Sequence, residues 1–457
     1  MNLPKKSQRS FCRNTVLLII FILCTTYTQI AIGQNTWTLK TCVDFGLKNN
    51  RSVTVYRNEK SMARAKAKEA LAGYLPSVNI TGTLDDNLKA QQSVIPAGVF
   101  GPEPTKVAFT QKYNPNIYGQ LDQTIYDQSL LTGLKANRYN IEQAVTNEQQ
   151  NTEALIYNIS TDYYQVIIYR EQLKLLKENL VTYDRQRQQL ALKVEKGVTL
   201  ESDMNKVIIS YNNTLSQIAT AESNIDQYTN QLKTDMGFPV ASILDLDSIP
   251  PPVNAARFVQ TDTPAVFNPA NRVDYRLSEI NTRLLEIDER RIRNGAYPKL
   301  TAYARYGGVG YGNEFGPSFT LSGYSAIGIK LTIPLLDFYK RNAQSSQARF
   351  KLLNAKENLQ LDADKYTGEY NTIRTRLAKA GATLENDRGN MQLAHSNFDI
   401  TDLQFQKGVT DLTDWLNAQY AVKEAESNYL TSLYKLYMNK LDLEKARGTL
   451  KLFYNSL

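Results

Sequence analysis

KGVTLESD at residues 196–203 returns as KGVTDLTD at residues 407–414, 211 positions later. Each copy interrupts a long stretch whose apolar residues recur at helical spacing. Glycine in the left-handed C′ conformation is the common way to end a helix. An acid follows each lysine by seven positions, Asp203 in the first copy and Asp414 in the second. The two segments therefore read as reverse turns, each between a helix that ends and a helix that begins.

The duplication extends outward from these turns. Leu75-Pro76 matches Tyr297-Pro298, Ile125-Tyr126-Asp127 matches Leu335-Leu336-Asp337, and Met236-Gly237 matches Arg447-Gly448. Asp127 precedes Gly197 by 70 residues, and Asp337 precedes Gly408 by 71. Between the proline and the aspartate the first half is 12 residues longer, as a variable surface loop would make it. The expected organisation is a first repeat at 34–237, a linker at 238–270 and a second repeat at 271–457.

Two periodicities alternate within each half. At 79–85, Ile80 and Leu84 oppose Asn79, Thr81, Thr83 and Asp85; at 116–125, Ile117, Gly119, Leu121 and Ile125 oppose Asn116, Tyr118, Gln120, Asp122 and Thr124. In the second half Leu300, Ala302, Ala304 and Tyr306 share a face, as do Ser325, Ile327, Ile329, Leu331 and Ile333. A period of two means half-buried strands, four in all. The glycine-rich GGVGYGNEFG at 307–316 leads into no helix and lacks the third glycine of a nucleotide fingerprint, so it reads as a hairpin loop.

The remainder is helical, with a seven-residue rhythm. Leu352, Leu359, Tyr366, Ile373 and Ala380 fall seven apart, interleaved with Tyr370, Leu377, Leu384, Met391, Phe398 and Phe405. The first half shows Ile159, Val166, Leu173 and Leu180 beside Tyr169, Leu176, Tyr183 and Leu190. Such spacing makes a left-handed coiled-coil seam. One long helix is expected before each KGVT turn, with two shorter ones elsewhere in the half (38–73 and 200–235; 271–296 and 411–452). In each half the short pair adds up to the length of the long one, so the short helices are expected to stack end to end along it.

Composition narrows the function class. The chain has 457 residues with 53 basic and 45 acidic, a net charge of +8. Lys5, Lys6, Arg9 and Arg13 supply half of that excess. They precede the apolar run at 16–24 and the small residues Ala31 and Gly33, the layout of a secretory signal at 1–33. The mild balance that remains argues against nucleic acid. Leu23 is not the small residue that a lipoprotein signal places before its cysteine, here Cys24. Beyond residue 33 only Cys42 is left, so no intramolecular disulfide is expected. His395 is the sole histidine and has no Cys/His cluster around it. No phosphate loop, zincin motif or nucleophile elbow appears, so no enzyme and no cofactor is indicated.

A leader, two tandem halves, two strands per half and a long–short helix set: in this order, over about residues 37–450, the chain resembles the TolC-like outer-membrane efflux proteins. The resemblance implies an α+β membrane protein in which a long coiled-coil α-helical barrel continues a transmembrane β-barrel. That β-barrel is built from four strands per chain in a homotrimer. It also implies a channel for export across the bacterial outer membrane, with a large periplasmic extension docked on an adaptor protein and an inner-membrane transporter. Physical argument points the same way, because four strands cannot close alone and open edges are intolerable in lipid.

The resemblance also assigns the turns to the periplasmic tip. By the match of GVTDLTDWLN, Asp414 fills the first acidic position of the constriction and Asn417 stands in for the second. Asp203 and Ser202 occupy the matching place in the first half. Phe405 replaces a tyrosine, and Thr410 stands where a latch arginine is found. The adaptor contacts are expected at Lys196, Gly197, Val198 and Thr199 and at Lys407, Gly408, Val409 and Thr410. The rival from another class is a soluble periplasmic coiled-coil scaffold or adaptor, which shares the heptads but needs no strands.

Overall fold

A computed structural model describes residues 36–108, 111–247, 267–316 and 320–455. The leader expected at 1–33 and positions 248–266 of the linker lie outside the described residues. Helix α1 (Leu39–Asn49) opens on the cap of Thr38, and α2 (Arg51–Ala72) follows at once. A single helix was expected over 38–73. Asn50 divides it, because its extended backbone closes α1 while its side chain accepts the Ser52 amide at 2.7 Å to start α2.

Four strands form one antiparallel sheet in the order β1-β4-β5-β6: β1 (Ser77–Asp86), β4 (Tyr113–Tyr126), β5 (Lys299–Tyr311) and β6 (Thr320–Thr332). β4 and β5, one from each half of the sequence, are the central pair, leaving β1 and β6 as edges. A further hairpin, β2 (Gln92–Ile95) with β3 (Thr105–Ala108), fills the longer connection of the first half. The sequence reading missed it. It also placed all of 307–316 in a loop, whereas β5 runs on to Tyr311 and pairs Gly307, Gly308 and Gly310 with β6.

The register sorts the side chains. Leu121 sits opposite both Val78 and Ala304, and Ala304 opposite Ile327, so these share one face. Ile80, Ile327 and Ile329 on that face are 78, 90 and 72% exposed. Gln120 lies across from Asn79 and Arg305 on the other face. There the Arg305 guanidinium donates to Gln120 Oε1 at 2.8 and 3.0 Å and stands 4.8 Å from the Tyr118 ring, while the Gln120 amide donates to Asp122. The sheet has one bare apolar face and one hydrogen-bonded polar face.

The helices follow: α3 (Gln128–Leu134), α4 (Ala136–Glu195), α5 (Glu201–Met236), α6 (Val273–Asn294), α7 (Lys340–Gln406), α8 (Leu412–Arg447) and α9 (Leu450–Asn455). α5 and α2 pack on α4; α8 and α6 pack on α7. The short helices measure 22 and 36 residues in each half, against 60 for α4 and 67 for α7. At about 1.5 Å per residue α7 spans about 100 Å.

The short helices meet end to end at Gly237 and Gly448, which close α5 and α8 with φ of 68° and 72°. Each end is a Schellman motif: Phe238 donates to the Lys233 carbonyl and Gly237 to that of Thr234, and Thr449 and Gly448 do the same with Glu444 and Lys445. A Cβ on Gly237 would lie 2.9 Å from the Asn49 carbonyl oxygen, just ahead of α2. On Gly448 it would lie 2.4 Å from that of Asn271, just ahead of α6.

Burial concentrates at this level. Cys42, Ile159, Val166, Leu232, Met236, Leu441 and Leu450 are among the most buried residues of the main core. Burial alone pushes the Cys42 thiol up to about 12, which keeps it protonated and unreactive. Elsewhere burial is sparse: eight of the 67 residues of α7 are buried, and none of α2. Gly448→Ala is expected to destabilise the fold by about 1–3 kcal/mol, since it adds a left-handed penalty to a backbone collision. Thermal unfolding in detergent measures it, and the same substitution at the open tip glycine Gly408 should cost less.

Candidate functional site

The two KGVT turns form the ends of α4 and α7. Gly197 and Gly408 adopt φ of 71° and 72°, and each again closes a Schellman motif. Val198 donates to Lys193 and Gly197 to Val194; Val409 donates to Gln404 and Gly408 to Phe405. The turns leave Lys196, Gly197, Val198, Lys407, Gly408 and Val409 exposed, with Thr199 and Thr410 half-buried. Val198 and Val409 are 73 and 74% exposed, so each protruding turn presents an apolar residue beside a lysine.

Behind the turns lies a compact tip core centred on Trp415, which is fully buried. Its ring meets Phe398 at 5.6 Å, Tyr183 at 6.0 Å and Phe405 at 6.4 Å between centroids. Leu190, Val207, Leu412 and Leu416 complete the cluster. The indole Nε1 donates to Asp402 Oδ1 at 2.7 Å, and Arg185 approaches the other oxygen of Asp402 at 3.8 Å. Trp415 therefore ties α8 to α7, and Asp402 ties α7 to α4.

Asp414 and Asn417 point away from this core and are exposed. Asp411 caps α8, accepting the Asp414 amide at 2.9 Å, while the Asp414 carboxylate accepts the Thr410 hydroxyl at 2.6 Å. Thr410 thus holds the carboxylate as a neutral donor, where an arginine would have neutralised it. Asp203 is half-buried and paired with Lys206 one turn on at 2.9 Å, and Ser202 is exposed. Phe405 differs from expectation: it is 9% exposed, inside the tip core with the Lys193 ammonium 5.1 Å from its ring centroid, and not on the face that carries Asp414. Without a hydroxyl, it packs where a tyrosine could also have hydrogen-bonded.

Higher up, a polar chain crosses between the hairpins. Ser210 and the Tyr420 hydroxyl lie 2.8 Å apart, linking α5 to α8. Asn179 of α4 donates to Glu426 of α8 at 2.8 Å, and His395 of α7 approaches the same carboxylate at 3.1 Å. Burial pushes the Glu426 carboxyl up, against hydrogen bonds from Asn179 and the His395 charge that pull it down. The exposed His395 is therefore tied to a buried carboxylate along the seam. Asp402, Arg185 and Asn179 carry these connections, and no motif marked them: each is a polar residue between the positions of the heptad series. Among the described residues no cluster fit to hold a metal ion occurs, and no helix is long and apolar enough to cross a membrane.

The outer membrane efflux protein family matches residues 46–237 and 280–449, covering both hairpins and the sheet. The chain belongs to that family. It is 22% identical to outer membrane protein TolC of Escherichia coli (strain K12) over 351 residues, 72% of this chain and 69% of that protein. It is 20% identical to TolC of Vibrio cholerae serotype O1 over 410 residues, 87% of each. The outer-membrane channel OprN superposes with a TM-score of 0.72 at 15% identity, covering 90% of both chains. VceC from Vibrio cholerae gives 0.71 at 13%, covering 90% of this chain and 96% of its own.

As a family member the protein is an outer-membrane efflux channel, residing in the outer membrane with its helices in the periplasm. The soluble scaffold is set aside. Trp415→Ala is expected to cost the tip about 3–5 kcal/mol and to free Asp402. Hydrogen exchange should show faster opening at both turns, while the main core around Leu441 keeps its protection.

Proposed function

We propose that three copies of the chain close their sheets into one twelve-stranded barrel. Their helices continue it as a tunnel narrowed at the tip, with the tandem halves at 34–237 and 271–457 as quasi-equivalent staves. One observation carries the reading: the sheet ends on two unpaired antiparallel edges, β1 and β6, while its apolar face is bare. In lipid each unpaired backbone group costs several kcal/mol, so the edges demand partners, and β6 of one copy supplies what β1 of the next lacks. The surfaces below the edges support this. Leu335, Leu336, Phe338 and Tyr339 are all more than 80% exposed. They directly follow β6, while α2, leading into β1, has no fully buried residue in its own chain. The corresponding segment of the first half, α3, is packed on α6.

In this assembly Asp414 repeats around the tunnel axis, with Asn417 one turn above it and Asp203 and Ser202 on the neighbouring hairpin. The turns, Lys196 to Thr199 and Lys407 to Thr410, are the surface offered to a periplasmic adaptor coupled to an inner-membrane transporter. Support for the gate is the exposure of Asp414 on the side opposite the tip core, and its bond to Thr410, which leaves the negative charge uncompensated.

Native mass spectrometry in detergent is expected to give a trimer; a stable monomer would overturn closure. In planar bilayers, Asp414→Ala should raise single-channel conductance and weaken block by multivalent cations, because the focused negative field is lost. Unchanged conductance and block would remove Asp414 from the constriction.

A further inference from the structure

The polar face of the sheet leads into a second charged region at the opposite end of the helices from the tip. Lys299, first in β5, pairs in register with Thr332, last in β6. Alternation puts both on the face of Arg305 and Lys330, away from Ile327 and Ile329. At this level a cavity of about 520 Å³ opens between α6 and the start of α7, and Lys299 and Thr332 are part of its wall.

The wall is cationic, and the pairing within it is incomplete. Asp288 holds Arg291 at 2.8 Å, Asp337 holds Arg341 at 2.5 Å, and Asp127 holds Lys299 at 2.8 Å. Each carboxylate is thus committed to one cation. Lys340 and Lys351 also line the cavity, with no carboxylate left for them among the described residues. Eleven residues apart on one helix, they share a face and stand about 16 Å from each other, with Gln344 and Gln347 between. Lys330 adds an exposed, unpaired charge just above on the strand. The first turn of α7 contains no acid, although a positive helix end favours one. A surface built only for stability would pair or space these charges.

We propose that this junction is a cationic collar on the inner surface of the channel, with Lys340, Lys351 and Lys330 binding the oxyanion groups (phosphate, sulfate or carboxylate) of molecules in transit. The proposal rests on the trimeric channel described above, which turns the polar face inward and repeats the collar three times. Cargo would then meet an acidic ring at the tip and a basic one where the helices give way to strands. A low-dielectric, water-filled passage lined by one sign of charge concentrates the opposite sign.

The test is block of single-channel current by inorganic tripolyphosphate added on the strand side of purified full-length protein in planar bilayers. Wild-type current should be blocked, less so at high salt. The half-blocking concentration should rise about tenfold or more in Lys340→Gln/Lys351→Gln. Lys340→Arg/Lys351→Arg should keep the block, and Lys330→Gln, on the adjoining strand, should weaken it by itself. Equal block in the double glutamine variant would overturn the collar. Conducting pores that tripolyphosphate does not block would sink the collar and leave the channel standing. A failure of wild type to conduct at all would take the channel reading down first.

Discussion

A sheet with two open edges is the constraint on which everything else in this chain turns. β1 and β6 carry rows of unpaired amides and carbonyls, and the face between them is Ile80, Ile327, Ile329 and Leu331, exposed far beyond what a water-facing strand displays. In water such an edge invites aggregation; in hydrocarbon it is untenable. The proposed trimer resolves it by pairing the edges of neighbouring copies. On the polar face Arg305, Gln120 and Asp122 are meanwhile already linked within one copy. One face of the sheet is thus hydrogen-bonded within the chain, while the apolar face and both edges are left bare.

The helical part obeys a different economy. A wall one helix thick has little interior, so α7 and α2 bury few side chains of their own. Apolar burial is gathered instead mainly at two heights, the joint where α1, α5, α8 and α9 crowd on α4 and the tip around Trp415, with a small cluster of Leu176, Ile218 and Ala221 besides. Four Schellman ends, at Gly197, Gly237, Gly408 and Gly448, bracket those two levels. Two of these glycines turn the chain at the tip. The other two let one helix end against the start of another without a Cβ in between. Between the two larger cores, beside that small cluster, bonds such as Asn179 to Glu426 keep the hairpins in register.

Much of this was legible in the sequence because periodicity is a strong signal over long spans. Strands of 10 to 14 residues and helices of 36 to 67 give the alternation many chances to declare itself. What escaped was short or local. β2 and β3 are four residues each, too brief for a period of two to show among prolines. Asn50 interrupts a helical pattern that continues in phase on both sides, so only its capping bond betrays the break. At the tip, Asp414 could be singled out by its place after the turn, but its bond to Thr410 depends on a rotamer. Asp402 was invisible because its partners Trp415 and Arg185 lie on other helices. Phe405 shows the limit of carrying a position over by pattern: the pattern finds the residue, but packing decides which way it faces.

The end-to-end joint has a consequence for how such a chain can change in length. Because α2 and α5 together run beside α4, and α6 and α8 beside α7, an insertion in one helix opens a mismatch unless its neighbours grow equally. Seven residues added to all the parallel segments at one height would restore the seam and lengthen the wall by about 10 Å. Fewer would rotate every facing side chain out of place. Drift in overall length should therefore have come in concerted heptads, whereas the β2–β3 connection, which runs beside no partner helix, is free to vary one residue at a time.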